Sequence, residues 1–200
     1  VFSSISVTAA GTGTLTYQWY SNTTASTTGG ASLGSANGAQ TSTYTPQSTV
    51  AGTLYYYCIV TGTCGTATSA ISEAFIVNPV PVISNKTAST YSGVAFTITP
   101  VDGTDVVPAG TTYSWALPSV TGGLTGGATG SGAVNISGTL NNPSSSAQTA
   151  TYTVTPVAAG CSGSDFTVTV TVNAIPVISD MSTAVCSGTG FSLTPADGTN

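Results

Sequence analysis

Val77-Asn78-Pro79-Val80-Pro81-Val82-Ile83-Ser84 returns further along the chain as Val172-Asn173-Ala174-Ile175-Pro176-Val177-Ile178-Ser179. Thr99-Pro100-Val101-Asp102-Gly103-Thr104 likewise returns as Thr194-Pro195-Ala196-Asp197-Gly198-Thr199. The segments 77–105 and 172–200 lie 95 positions apart without a gap, and 14 of their 29 positions are identical. That period suits one whole β-sandwich module per repeat, whereas solenoid and propeller repeats run to about 20–50 residues. The chain therefore reads as part of a tandem array. A first module covers 1–78, a second 79–173, and the opening of a third 174–200.

Working outward from the repeat, the segments between its copies read as strands. Phe166-Thr167-Val168-Thr169-Val170-Thr171-Val172 alternates strictly, which puts Val on one face and Thr on the other. Thr151-Tyr152-Thr153-Val154-Thr155, Ile5-Ser6-Val7-Thr8 and Phe96-Thr97-Ile98-Thr99 do the same. Gly, Asn, Asp and Pro clusters separate these runs, and no stretch sustains a helical period. The fold class is all-β.

Tryptophan aligns the two long modules. Tyr17-Gln18-Trp19 matches Tyr113-Ser114-Trp115, and each tryptophan precedes a tyrosine, Tyr56 or Tyr152, by 37 positions. The pattern resembles tandem immunoglobulin-like β-sandwich modules joined by short Pro-containing linkers. By that resemblance Phe2 and Phe96 open strand B, the Tyr-x-Trp elements are strand C, and Tyr56 and Tyr152 lie on strand F. Strand G falls at 70–77 and 165–172, and the first module lacks its strand A. Trp19, Tyr56, Trp115 and Tyr152 are the expected structural core, because a strand-C Trp packed against strand F is a hallmark of such sandwiches. Tyr56-Tyr57-Cys58 fits the strand-F pattern, with Val154 in the cysteine's place beside Tyr152. The linkers Asn78-Pro79-Val80-Pro81 and Asn173-Ala174-Ile175-Pro176 are expected to be stiff, since a residue before proline is held extended.

Composition excludes whole classes of function. Only 4% of residues are charged, there is no His, and Lys86 is the sole cation among Lys and Arg. The net charge is −5. Nucleic acid is no partner for such a chain, because phosphate binding needs clustered Lys and Arg. Membrane insertion is not expected either, as no apolar run approaches the ~18 residues a span needs. Without His, neither a Ser-His-Asp nor a Cys-His arrangement can be built. The chain reads as no enzyme, with no cofactor and no metal.

The Tyr-x-Trp elements, the Tyr-rich strand F followed by Cys64-Gly65, the opening Cys186-Ser187-Gly188 and the Val-Asn-Pro-x-Pro junction carry a closer resemblance. Over essentially the whole chain they look like the Ig-like and PKD-like tandem repeats of very large secreted Bacteroidota cell-surface proteins. That group includes gliding-motility adhesins, which are type IX secretion substrates. The resemblance implies an extracellular, cell-surface location. It also marks Cys186 as the opening cysteine of a repeat, a position that Tyr91 takes in the second module.

Four cysteines are present, with no Cys-x-x-Cys spacing. A Cys58–Cys64 bridge across the F–G hairpin is one pairing open to them. Cys161 and Cys186 are expected to stay free or to bond beyond their own module. Asp102-Gly103-Thr104-Asp105 offers oxygens to Ca²⁺, yet calcium wants six or more, so a polar turn is the default. The stretch Gly122-Gly123-Leu124-Thr125-Gly126-Gly127-Ala128-Thr129-Gly130 lacks the Lys-Ser/Thr of a phosphate loop and reads as a flexible connection. Tyr55, Tyr56 and Tyr57 are candidates to stack on surface glycans, with Tyr56 facing inwards.

These readings converge on a non-enzymatic repeat segment of an adhesin or surface filament, acting as a stiff spacer or display stalk. Its partners are neighbouring modules, other copies of itself and surface glycans. Two alternatives stand beside it. One is a self-assembling filament subunit using strand-edge or donor-strand contacts, since few charges guard its edges. The other is a carbohydrate-binding accessory array of a secreted enzyme.

Overall fold

The computed structural model describes residues 2–176 and 180–194. Val177-Ile178-Ser179 and the second Asp-Gly turn at Asp197, both read from the repeat, lie outside the described residues. The chain divides into two compact units, Val1–Pro79 and Val80–Asn200. Both are all-β.

The first unit contains β1 (Ile5–Ser6), β2 (Thr16–Asn22), β3 (Ala31–Ser32), β4 (Thr43–Tyr44), β5 (Gly52–Gly62), β6 (Gly65–Thr68) and β7 (Phe75–Val77). One sheet runs β3-β2-β5-β6, with β7 also on β5, and faces the small pair β1-β4. In sandwich lettering β1 and β4 are strands B and E, β2 and β5 are C and F, and β6 with β7 makes G. The core is aromatic. Trp19 stacks on Tyr44 at 6.0 Å, Tyr44 meets Tyr56 at 5.4 Å, and Tyr56 meets Phe75 edge-on at 5.2 Å. Phe2 closes the row against Phe75 at 5.0 Å.

Strand G of this unit departs from the expected continuous run over 70–77. It breaks after Thr68 and resumes at Phe75. Two serines bridge the break. The Cys58 and Tyr56 amides donate to the Ser69 and Ser72 hydroxyls at 2.9 and 2.8 Å, while the Ser69 and Ser72 amides donate to the Cys58 and Tyr56 carbonyls. A hydroxyl thus stands where a strand carbonyl would. Buried backbone donors must be satisfied by something, and each such bond contributes about 1 kcal/mol.

The second unit contains β8 (Lys86–Tyr91), β9 (Ala95–Ile98), β10 (Thr112–Trp115), β11 (Ser119–Val120), β12 (Gly130–Ala133), β13 (Ile136–Thr139), β14 (Gln148–Ala158), β15 (Cys161–Ser162) and β16 (Phe166–Asn173). Its large sheet runs β12-β10-β14-β16-β8, with β11 and β15 on β14, and the pair β13-β9 covers the other side. This is strand order C′-C-F-G-A against B-E, the arrangement of an immunoglobulin-like sandwich. The alternation in β16 is realised in full: Phe166, Val168, Val170 and Val172 are buried and the threonines between them are half-exposed. They pack with Phe96, Tyr113, Ile136, Leu140, Tyr152 and Val154 in one core.

The two tryptophans sit in one register and different depths. Trp19 faces Cys58 across β2–β5, and Trp115 faces Val154 across β10–β14. Trp19 is buried, whereas Trp115 is half-buried and Tyr113, two residues earlier, fills the core instead. Trp115 still meets Tyr152 edge-on at 6.4 Å.

The glycine-rich stretch is not a loose connection. Leu124 within it is buried in the core, and Thr125 bridges to Asn141. Gly130 lies under the Trp115 ring, where a Cβ would come within 2.3 Å of it. Gly126, Gly127 and Gly130 are there for close approach, since a Cβ at each would come within 2.7 Å of a neighbouring atom.

Candidate functional site

The polar side chains that the sequence singles out hold the fold together. Asp105 is the clearest case. Its buried carboxylate accepts from the Ser84 amide at 2.8 Å and the Ser84 hydroxyl at 2.7 Å, and it pairs with the Lys86 ammonium at 2.5 Å. Burial alone would raise its pKa. The Lys86 contact and the two Ser84 hydrogen bonds outweigh that and hold it below the ordinary carboxylate value. Asp102 points elsewhere and accepts from the Val107 amide at 3.2 Å. The two aspartates therefore serve as turn-makers and ion-pair partner, and they do not converge as calcium ligands. Among the described residues, no three of His, Cys, Asp and Glu gather as a metal site.

A pH dependence follows from Asp105. A carboxylate with a depressed folded pKa stabilises fully above its unfolded value of about 3.9, and the contribution is lost as pH falls through the folded pKa. Asp105→Asn should lower the stability of the second unit by about 1–2 kcal/mol at neutral pH. Urea midpoints at neutral and strongly acidic pH would check it. The gap between wild type and variant should narrow on acidification.

The Cys58–Cys64 pairing is not formed; all four cysteines are unpaired. The reason is the length of β5. From Cys58 to the strand's end at Gly62 is already about 13 Å of extended chain, beyond the ~7 Å that a disulfide spans. Cys58 faces the core beside Trp19, and burial pushes its thiol pKa up. Cys64 is exposed in the F–G turn, where hydrogen bonds from the Thr12 and Thr63 hydroxyls hold its pKa below the ordinary value. An open groove of about 410 Å³ lies beside it, lined by Val7, Ala9, Leu15, Val60 and Ala67 among others. Cys161 is half-buried on β15, opposite Ala158. Cys186 is exposed in the C-terminal segment.

The tyrosines offer less to a glycan than their sequence suggests. Tyr56 and Tyr57 are both buried and Tyr55 is half-buried. Tyr57 points to the outer face of the sheet, stacks flat on Tyr20 at 5.2 Å, and packs so closely on Gly30 that a Cβ there would lie 2.8 Å from its ring. Alternation alone shows Tyr56 inside. It gives no hint that the 22–31 loop covers Tyr57.

The parallel pairing of β8 with β16 is the feature that the sequence did not resolve. In the second unit β16 is paired on both sides: antiparallel to β14, and parallel to β8 with Val170 opposite Ala88, Thr171 opposite Ser89 and Val172 opposite Thr90. β7 is its counterpart in the first unit. Gly52, Thr53 and Leu54 oppose Val77, Ile76 and Phe75 as Gln148, Thr149 and Ala150 oppose Val172, Thr171 and Val170. Among the described residues no strand takes β8's place beside β7. Exposure records the difference. Val170 and Val172 are fully buried, Phe75 and Val77 only half-buried, and Ile76 is 59% exposed.

Comparison with known proteins bears on the second unit. Residues 102–176, from the Asp102 turn through β16 to Pro176, match the PKD-like domain family. No curated protein matches the chain. Among solved structures, immunoglobulin domains 1–4 of Sidekick-1 align with 86% of this chain at 16% identity and a TM-score of 0.38. The chain spans 42% of that structure's length.

Proposed function

We propose that these residues are a non-enzymatic repeat segment of an extracellular surface protein, an adhesin or surface filament, in which they act as a spacer that displays binding parts located elsewhere. One observation carries the reading. The same sandwich is built twice, in one register, from segments with unrelated middles. A module that repeats suits mechanical spacing. The PKD-like match supports an extracellular setting, in which such domains are common. Among the described residues no helix is long and apolar enough to cross a membrane. The resemblance to gliding-motility adhesins and type IX substrates points to a bacterial cell surface.

Force spectroscopy on the whole chain tests it. A spacer should give separate unfolding events for the two units, each releasing roughly 25–30 nm of contour length at about 3.5 Å per residue. A single low-force event would overturn the spacer role. Saturable binding of a soluble glycan by the segment would favour the carbohydrate-binding alternative instead.

A further inference from the structure

We propose that β8 and β16 are the load-bearing clamp of the second unit, a ladder that tension along the chain strains in shear and that yields only when its bonds fail together. The inference rests on the spacer reading, since only a segment held under tension has use for such a clamp.

The direction of loading follows from the topology. The unit begins at Val80, ahead of β8, and β16 ends at Asn173. Tension along the chain therefore pulls β8 from its N-terminal end and β16 from its C-terminal end. The two strands are neighbours and run parallel, from Lys86 opposite Val168 to Tyr91 opposite Asn173. Opposite pulls on parallel neighbours slide one strand along the other, so all six residue pairs are loaded at once. Hydrogen bonds weaken steeply with distance and angle, which makes such a ladder stiff until it breaks. Were the strands antiparallel, the same pull would open the ladder one rung at a time.

The seam carries further bonds at both ends. At one end the Thr167 amide donates to Asn85 Oδ1 at 2.9 Å. At the other, Asn173 Nδ2 donates to the Ser89 hydroxyl at 3.0 Å and the Thr90 carbonyl at 3.1 Å. The Ser92 amide donates to the Asn173 carbonyl at 3.0 Å. Ahead of the ladder, where tension enters, Val82 exchanges both backbone bonds with Val106 at 2.8 and 3.0 Å. Asp105 then holds Ser84 and Lys86. The segment from Val82 to Ser92 is fastened along its whole length.

Burial does not hold β8, for Thr90 alone of its residues is buried. Among the described residues β16 is its one sheet partner, so directional bonds across a single seam carry the load. β16 is anchored more deeply. It pairs on both sides and buries Phe166, Val168, Val170 and Val172. The seam between β8 and β16 is where shear concentrates.

Handles placed within the full chain test this by changing the direction of pull. The background is Cys64→Ser, Cys161→Ser, Cys186→Ser, with Cys58 buried out of reach. Ile175→Cys is combined with either Val80→Cys or Tyr91→Cys, at positions 56%, 48% and 59% exposed, and DNA handles are attached for optical tweezers. Handles at 80 and 175 shear the ladder. Handles at 91 and 175 draw apart the adjacent ends of the same two strands and unzip it. At one loading rate the shear geometry should rupture at a force at least about threefold higher, because forced unfolding is governed by the unfolding barrier that the pull acts on. Val94→Cys, 52% exposed in the turn after β8, takes the place of the handle at 91 if a thermal melt shows that variant altered. Equal forces in the two geometries, or a weaker rupture under shear, would overturn the proposal. Equal forces beside two separate unfolding events from the whole chain would leave the spacer reading intact.

Discussion

Trp19→Ala should abolish the first unit's unfolding transition while leaving the second unit's in place. Its core is small: six buried apolar residues, Trp19 among them, against thirteen in the second unit. Trp19 is 2% exposed, and its indole Nε1 donates to the Thr41 carbonyl at 3.0 Å. Truncation would remove a large ring that stacks on Tyr44 and leave the Thr41 carbonyl without that donor. A buried Trp→Ala change costs about 3–5 kcal/mol, against a total of about 4–12 kcal/mol for a unit of this size. Trp115→Ala should cost clearly less, since that ring is half-buried. Denaturant titration followed by far-UV circular dichroism can read both, because each Ala variant removes its own unit's only tryptophan. Trp115→Phe leaves Trp19 reporting the first unit alone, and Trp19→Phe does the reverse. Equal losses for the two Ala variants would count against the difference in depth described here.

The second large effect is expected at Gly126, where Gly126→Ala should destabilise the second unit by about 3 kcal/mol or more. Its φ is +87°, and an added Cβ would lie 2.6 Å from the Thr139 carbonyl oxygen. That oxygen belongs to the backbone of β13 and has little room to give. Gly123, in the same stretch, separates the two causes. Its φ is +72°, but the nearest atom to an added Cβ is Pro143 Cγ at 4.0 Å. Gly123→Ala should therefore cost only the left-handed backbone penalty, about 1–2 kcal/mol. Thermal or urea unfolding of both variants measures the difference. Equal small losses would mean that the stretch yields, and that Leu124 does not pin it.

Much of the fold is legible in the sequence, and the failures share a cause. β16 reads directly, because alternation is a local property and both its faces have distinct surroundings. The tryptophan–tyrosine spacing reads as well, since identical spacing in two copies requires the same strand pairing. Lys86-Thr87-Ala88-Ser89-Thr90-Tyr91 does not announce a strand, for its pairing to β16 is parallel and comes from a distant residue range. Leu124 is a lone apolar residue among glycines, and only the site it fills shows that it anchors the stretch. The break in strand G hides in Ser69 and Ser72, whose hydroxyls replace backbone acceptors without any change in hydrophobic pattern. Tyr57 misleads for the opposite reason: it occupies an outward position and is covered by a loop. For the candidate site, the register shared by the two units appears only when the β5–β7 and β14–β16 pairings are set side by side.

The Lys86–Asp105 pair has a consequence for how the chain meets proteases. With no other Lys or Arg, trypsin has one peptide bond to cut, that between Lys86 and Thr87. It lies at the start of β8, where Lys86 is opposite Val168 and its ammonium is held by Asp105. A protease needs several residues free of their sheet, so cleavage waits for β8 to peel away. Each cut then registers one opening of the second unit and yields two fragments, 1–86 and 87–200. When reclosing outpaces cutting, the digestion rate gives the population of that opened state directly. The native chain carries its own single-site clock.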